Sequence, residues 1–259
     1  MDKNKERSPL DRAAPLRVAG QSLTEELEDF VYDQVMAPLF ITLFAVLYAC
    51  LEWIRYFQNL KPNPIIYSGA AVLAILYAII KIWRSRKHVR RMKLGRDGER
   101  AVAQYLEWFR SANYFVFHDI PNGDANVDHV LVGPAGVFTI ETKTLSKPPR
   151  GPCKITVSQN VIHANGKALD RDPIVQAKAQ AGWLKSFLAE SQMVAHVQPV
   201  VVFPGWFIEP FDMKAAGAWV LETKALSKFV ENEPVRLARE QVQAISSALR
   251  SHIRAHAKK

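Results

Sequence analysis

Asp128, Glu141 and Lys143 are the residues of this chain whose types and spacing could do chemistry. They lie on two alternating runs, residues 126–132 and 137–143, joined by Gly133-Pro134-Ala135-Gly136, which supplies turn residues where a tight reversal needs them. If Val132 pairs with Val137 across that turn, Asp128 falls directly opposite Glu141, with the side chains about 5 Å apart on one face. Lys143 is two residues beyond Glu141, and the strand period of two places it on the same face. Two carboxylates at that separation repel unless a cation lies between them. Hard divalent ions take oxygen ligands, and Mg²⁺ typically uses one or two carboxylates, several waters and a substrate phosphate. A lysine beside such a pair can steady an attacking water or stabilise charge developing on phosphorus. The other reading of the same three residues is an ion-paired sheet face, Asp128–Lys143–Glu141, with no chemistry. The rest of that face is Val130, Val132, Val137 and Thr139, and the opposite face carries Leu131, Phe138 and Ile140, so these acids sit at the end of a largely buried sheet. Acids there need a reason to stay.

The elements that must position these residues follow from periodicity. A helix is expected over residues 98–110, with Ala101, Val102, Tyr105, Leu106 and Phe109 on its apolar face, then a strand over residues 114–118. After the hairpin come a shorter hairpin over residues 154–164, turning near Ser158-Gln159-Asn160, and a long helix opened by Asp172-Pro173 and running to about Glu190. Residues 197–203 form an apolar, β-branched run that reads as a central strand, 218–221 a further short strand, and helices from about Thr223 and Val235 close the chain. His118, His129, His163 and His196 are scattered without metal-ligand spacing, and His129 points away from Asp128, which defeats a Ser-His-Asp arrangement. Cys153 has no evident His partner and no Gly-rich phosphate loop is present; Trp183, Phe187 and Leu188 read as core. The tail residues Arg250, His252, Arg254, His256, Lys258 and Lys259 read as a solvated helix end.

Taken in order, Gly98-Glu99, the run from Asn126 through Asp128 to Gly133, Gly136-Val137-Phe138 and Ile140-Glu141-Thr142-Lys143 resemble the nuclease-related domain (NERD) family of the PD-(D/E)xK nuclease superfamily. The resemblance covers residues 95–180, about a third of the chain, and it implies a restriction-endonuclease-like α/β core, a mixed sheet flanked by helices. It implies metal-dependent hydrolysis of a phosphodiester in nucleic acid, DNA ahead of RNA. Asp128 and Glu141 would hold Mg²⁺ (or Mn²⁺), with the Thr142 carbonyl as a third ligand. Lys143 would orient or activate the water, and Glu99 would bind a second metal or position that water. Gln176, in Asp172-Pro173-Ile174-Val175-Gln176, matches a glutamine that often faces the site. The run after Lys143, from Thr144 to Gly151, is longer and stiffer than the family's usual continuation.

The chain has 259 residues, 49% hydrophobic and 23% charged, with a net charge of +9, which excludes disordered, collagen-like and mucin-like classes. Cys50 and Cys153 are too few for a disulfide framework or a cysteine-rich zinc module. Residues 34–51 and 62–80 carry no charge, and each run is just long enough to cross a hydrocarbon core, which takes about 20 residues. A cleaved signal peptide does not fit, because the first run lies far from Met1 and follows Glu25-Glu26-Glu28-Asp29 in place of a basic flank. Lys81, Arg84, Arg86, Lys87, Arg90, Arg91, Lys93 and Arg96 follow the second run with no acid among them, while the short connection between the runs carries Arg55 and Lys61. That bias puts both termini in the cytoplasm, and a basic run against an apolar span suits anionic lipid as well as nucleic acid. Neither apolar run carries a pore-lining charge, which argues against a transporter.

The expected organisation is a polar leader with an amphipathic helix (1–33, with Ser22 and Glu25 as a capping box), a transmembrane hairpin (34–83), a basic juxtamembrane linker (84–94) and the nuclease-related domain (95–259). The expected activity is that of a nuclease anchored in the inner (cytoplasmic) membrane, multi-pass and cytoplasm-facing. The alternative is a catalytically silent module that binds nucleic acid or a partner at the membrane.

Overall fold

The computed structural model describes residues 16–60, 63–123, 125–158 and 161–256. Residues 1–15 of the leader, Lys61, the turn residues Gln159 and Asn160, and Lys258 and Lys259 lie outside the described residues. The chain divides into two compact units, one formed by residues 23–93 and the other, over the described residues, by 16–22 with 94–256.

The first unit is helical. Helix α1 (Gln21–Val31) passes through a π-helical turn at Tyr32–Met36 into α2 (Ala37–Phe57), and α3 spans Pro64–Leu106. Both helical stretches, Gln21–Phe57 and Pro64–Ala112, are long and apolar enough to cross a membrane. Only 11% of each apolar window is buried, so these are not core helices of a water-soluble bundle, and large side chains such as Phe44, Ile65 and Leu73 stand exposed. The contacts between the two stretches run antiparallel: Phe30 against His88, Lys81 to the Asp33 carbonyl, Thr42 Oγ1 to the Ala74 carbonyl and Tyr48 against Tyr67. At the closed end Trp53 Nε1 donates to Ser68 Oγ, and buried Glu52 bridges Arg55 and the Asn63 amide.

The helix expected to begin at Gly98 is instead continuous from Pro64 to Leu106, followed by a 3-10 turn at Glu107–Ala112. Residues 81–96 are rich in Lys and Arg, good helix formers, and no proline interrupts them, so the basic segment is helix too. Asn113, left-handed at φ 64°, ends the run.

The second unit is a mixed α/β domain. Its main sheet has the order β1-β2-β3-β7-β9, built from β1 (Phe115–Asn122), β2 (Ala125–Gly133), β3 (Gly136–Thr142), β7 (Val197–Val202) and β9 (Trp219–Leu221). The first three strands are antiparallel and the last two run parallel to β3. A smaller sheet, absent from the sequence expectation apart from its hairpin, has the order β6-β5-β4-β8, from β4 (Lys154–Ser158), β5 (Val161–Ala164), β6 (Lys167–Ala168) and β8 (Phe207–Ile208). The remaining helices are α4 (Pro173–Glu190), α5 (Met213–Ala216), α6 (Leu226–Glu231) and α7 (Arg239–His256). Asp172 caps α4 by accepting from the Ile174 and Val175 amides, with Pro173 at the first helical position.

Helices cover both faces of the main sheet. Ala181, Leu184 and Leu188 of α4 and Val242, Ile245 and Leu249 of α7 pack on Val130, Val132 and Val137. On the other face Val102 and Leu106 of α3 and Leu226 and Val230 of α6 pack on Leu131, Phe138 and Ile140. Ile155 and Ile162 of the smaller sheet join Ile174, Val201 and Phe203 in a third cluster.

The β2–β3 ladder has the register set by its turn: Val132 pairs with Val137, Leu131 with Phe138 and His129 with Ile140. It extends one pair further, to Gly133 opposite Gly136, leaving Pro134-Ala135 as the loop. Gly136 sits at φ 129°, where a side chain would be strained.

Gly98 fixes how α3 meets the strand end, since a Cβ there would lie 2.7 Å from Thr144 Cβ and 1.7 Å from its Oγ1. Gly98→Ala is expected to destabilise the domain by about 1–3 kcal/mol through overpacking, although alanine raises helix propensity by about 1 kcal/mol. Denaturant melts of Gly98→Ala with and without Thr144→Gly check this, the second substitution relieving the clash that Thr144 Cβ, Oγ1 and Cγ2 make.

Candidate active site

Asp128 on β2 and Glu141 on β3 occupy the register position after His129–Ile140, where the buried hairpin gives way to half-buried residues on the β2 side. Glu141 is buried and Asp128 half-buried, and each accepts from a protein donor. Asp128 Oδ2 accepts from the Thr142 amide at 2.7 Å, and Glu141 Oε2 accepts from Gln180 Nε2 at 2.7 Å. Lys143 Nζ stands 3.9 Å from Glu141 Oε1, and its side chain is 27% exposed where that of Glu141 is 4% exposed. The lysine therefore reaches from the acids toward solvent.

Glu99 reaches the same cluster from α3. Burial, then the charges of Asp119 and Glu141, push its carboxyl up to about 8, while a hydrogen bond from the Gly20 amide pulls the other way. Asp128 is raised well above the usual carboxylate range by burial, then by Glu141 and Glu99, against the Thr142 amide and Lys143. Glu141 is raised by burial against the lowering influence of Lys143 and the Gln180 hydrogen bond. All three acids thus share one electrostatic environment, and each resists ionising beside the others.

Sequence reasoning placed Gln176 at the site. The amide that reaches Glu141 belongs to Gln180, one helical turn further along α4, whose Nε2 also lies 3.4 Å from the Asn126 carbonyl. Gln176 is half-buried, one turn short of that contact. A helix rising past the strand ends offered both glutamines, and periodicity alone does not say which turn is level with Glu141. Asp119 was missed altogether. It is buried at φ 52° on β1, between the pairs His118–His129 and Ile120–Val127, which puts it level with Asp128 in the strand register. His129 turns to the other face as expected, its Nδ1 2.9 Å from His118 Nδ1, and burial holds both imidazoles below their usual range.

Among the described residues no three His, Cys, Asp or Glu side chains converge as a single metal shell. The donors present are oxygens: the Asp128 and Glu141 carboxylates, the Thr142 carbonyl, and the buried Thr142 Oγ1 and Gln180 Oε1, both without a hydrogen-bond partner. Such a set suits a hard cation that keeps several waters, and would not suit a soft one or an all-protein cage.

Residues 94–204 match the family model of the nuclease-related domain. This part of the chain is a nuclease-related domain. The match starts in α3 just before Glu99 and ends just after β7, so it takes in Glu99, Asp128, Glu141, Lys143 and Gln180. The domain is PD-(D/E)xK-like, a mixed α/β fold with helices on both faces of its sheet. An uncharacterized protein of Bacillus anthracis is 35% identical over 78 residues, which is 28% of this chain and 34% of the relative, so the match spans about a third of that protein's length. No solved structure matches.

The raised carboxylates of the nuclease-related domain fix the sign of its pH dependence. A carboxyl whose folded pKa lies above its unfolded value adds stability below the unfolded value and loses it as pH rises through the folded one. For Glu99 that window runs from 4.5 to about 8, and Asp128 and Glu141 act in the same direction. In chelator, the melting temperature is expected to fall as pH rises from about 5 to 9, with a smaller fall in Glu99→Gln. Equal slopes in the two proteins would rule out the coupling.

Proposed function

We propose that this chain is a membrane-anchored nuclease whose domain faces the cytoplasm and hydrolyses phosphodiester bonds of nucleic acid, with DNA as the expected substrate. The observation that carries the reading is the convergence of Asp128, Glu141 and Lys143 at one strand end, with Glu99 coupled to both acids, inside a nuclease-related domain. Asp128, Glu141 and the Thr142 carbonyl would hold Mg²⁺ or Mn²⁺, which supplies Lewis-acid neutralisation of phosphate charge when bound. Lys143, partly exposed beside Glu141, orients the attacking water and offsets charge on the phosphoryl oxygens. Gln180 holds Glu141 in one orientation through its Oε2. Glu99, held by the Gly20 amide, positions the water or a second cation.

Membrane anchoring rests on the two apolar helices, and the orientation rests on the eight basic residues between Lys81 and Arg96. Protease treatment of sealed right-side-out vesicles should leave the domain intact, and digestion there would reverse the topology.

A second reading, a silent module that docks nucleic acid or a partner at the membrane, draws on the protein donors that Asp128 and Glu141 already hold and on the burial that raises both carboxyls. Full-length protein in nanodiscs, incubated with labelled single- and double-stranded DNA and RNA in Mg²⁺, Mn²⁺ or chelator, separates the two. Cleavage is expected only with metal, with a loss of about 10²–10³-fold or more in Asp128→Asn and in Lys143→Ala. Folded wild type that binds nucleic acid and cuts none of it would establish the silent module.

A further inference from the structure

The described chain begins with a short segment that packs against the site. Leu16 packs on the core cluster shared by β2, α4 and α7. Arg17 Nε donates to Asp119 Oδ2 at 2.7 Å, and the Ser22 amide donates to the same oxygen at 3.0 Å. Ser22 Oγ donates to Asp119 Oδ1, which also receives Asn126 Nδ2 at 3.1 Å. Between these two anchors Gly20, left-handed at φ 67°, turns its amide onto Glu99, and a Cβ at Gly20 would lie 3.4 Å from the Arg96 carbonyl and 3.0 Å from Arg96 Cγ. Ser22 therefore spends its hydroxyl and its amide on Asp119, and does not serve as the helix cap that its spacing to Glu25 suggests.

This geometry does more than tie down residues 16–22. Asp119 is a buried acid next to other acids, and its charge is one of the forces raising Glu99. Left alone it would repel Glu99, whose carboxylate has to be fixed relative to Asp128 and Glu141 to act with them. The strap meets both needs at once, with a guanidinium on Asp119 and a backbone donor on Glu99, while the left-handed turn at Gly20 lets the four residues from Arg17 to Gly20 reach from one to the other. Buried carboxylates with charge-assisted partners on defined atoms lose their rotational freedom, which is what positioning requires.

We infer that residues 16–22 form a strap that belongs to the catalytic machinery, with Arg17 and Asp119 as positioning residues that set the Glu99 carboxylate for the nuclease reaction. The inference rests on the nuclease reading above and adds a segment outside the matched domain to its working parts. Arg17 lies on the strap and outside the sheet; Arg17→Ala leaves buried Asp119 without its guanidinium partner, whereas Arg17→Lys keeps the charge.

The test uses full-length protein in nanodiscs. Hydrogen exchange should find the Gly20 and Ser22 amides protected in wild type and exposed in Arg17→Ala. With a DNA substrate and Mn²⁺, at a temperature where circular dichroism shows every variant folded, Arg17→Ala should lower kcat by about 10- to 100-fold at unchanged KM, with a large part restored in Arg17→Lys. Unprotected amides in wild type, an unchanged kcat in Arg17→Ala, or a rise in kcat (a strap that blocks the site) would each overturn the inference while leaving the nuclease reading in place. Absence of cleavage by wild type under every condition would bring down both.

Discussion

Repulsion among buried carboxylates is the constraint around which the domain is arranged. Two unit charges about 5 Å apart repel by about 3 kcal/mol even at an effective dielectric of 20. Glu99, Asp128 and Glu141 all feel one another at the end of an apolar hairpin. A hydrogen bond to a charged group returns about 1.5–3 kcal/mol, and the protein supplies one to each acid: the Thr142 amide to Asp128, Gln180 to Glu141 and the Gly20 amide to Glu99. Burial, the largest cause for all three, outweighs these donors, and repulsion adds to it at Glu99 and Asp128, so each acid is raised. Either a proton or a cation must complete the arrangement.

Rigid elements hold the acids where this repulsion acts. Asp128 and Glu141 come from adjacent strands of a hairpin packed on both faces, so neither can relax away without disturbing the core. Glu99 is pressed in from α3 because its neighbour Gly98 has no side chain to keep the helix off Thr144. Gln180 arrives on α4, whose start is fixed by Asp172 and whose Leu184 and Leu188 are anchored in the core.

How much of this was legible in the sequence depended on the distance over which each contact acts. The hairpin register followed from one turn and a period of two, so Asp128 opposite Glu141 could be read directly from the sequence. The long strands, α4 and the apolar helices were legible for the same reason, each being a local pattern. Gln180 escaped because two glutamines one turn apart present the same face, and only the tertiary height of α4 chooses between them. Arg17 and Asp119 escaped because they are separated by 102 residues, and no periodicity links a leader segment to a kinked position within a strand. Ser22 misled because its spacing to Glu25 fits a cap, whereas a buried acid elsewhere offered its hydroxyl a stronger, charged partner.

The sequence left open whether Asp128, Glu141 and Lys143 are a salt-bridged sheet face or a cation site, and the electrostatics weigh on that choice. In a salt-bridged face the lysine would hold both acids below their ordinary range, and the fold would gain stability as pH rises. Here Lys143 stands 3.9 Å from the nearer oxygen of Glu141 and makes no shorter ion pair among the described residues, and the acids are raised, not lowered. One ammonium set back from three coupled acids leaves a deficit of positive charge at the buried end and a cation directed toward solvent. A divalent ion between the carboxylates would remove the deficit, and an anionic phosphate would be met by the lysine. Because the same repulsion weakens the metal-free fold at neutral pH and would strengthen cation binding there, stability, proton occupancy and cation affinity become three measures of a single interaction.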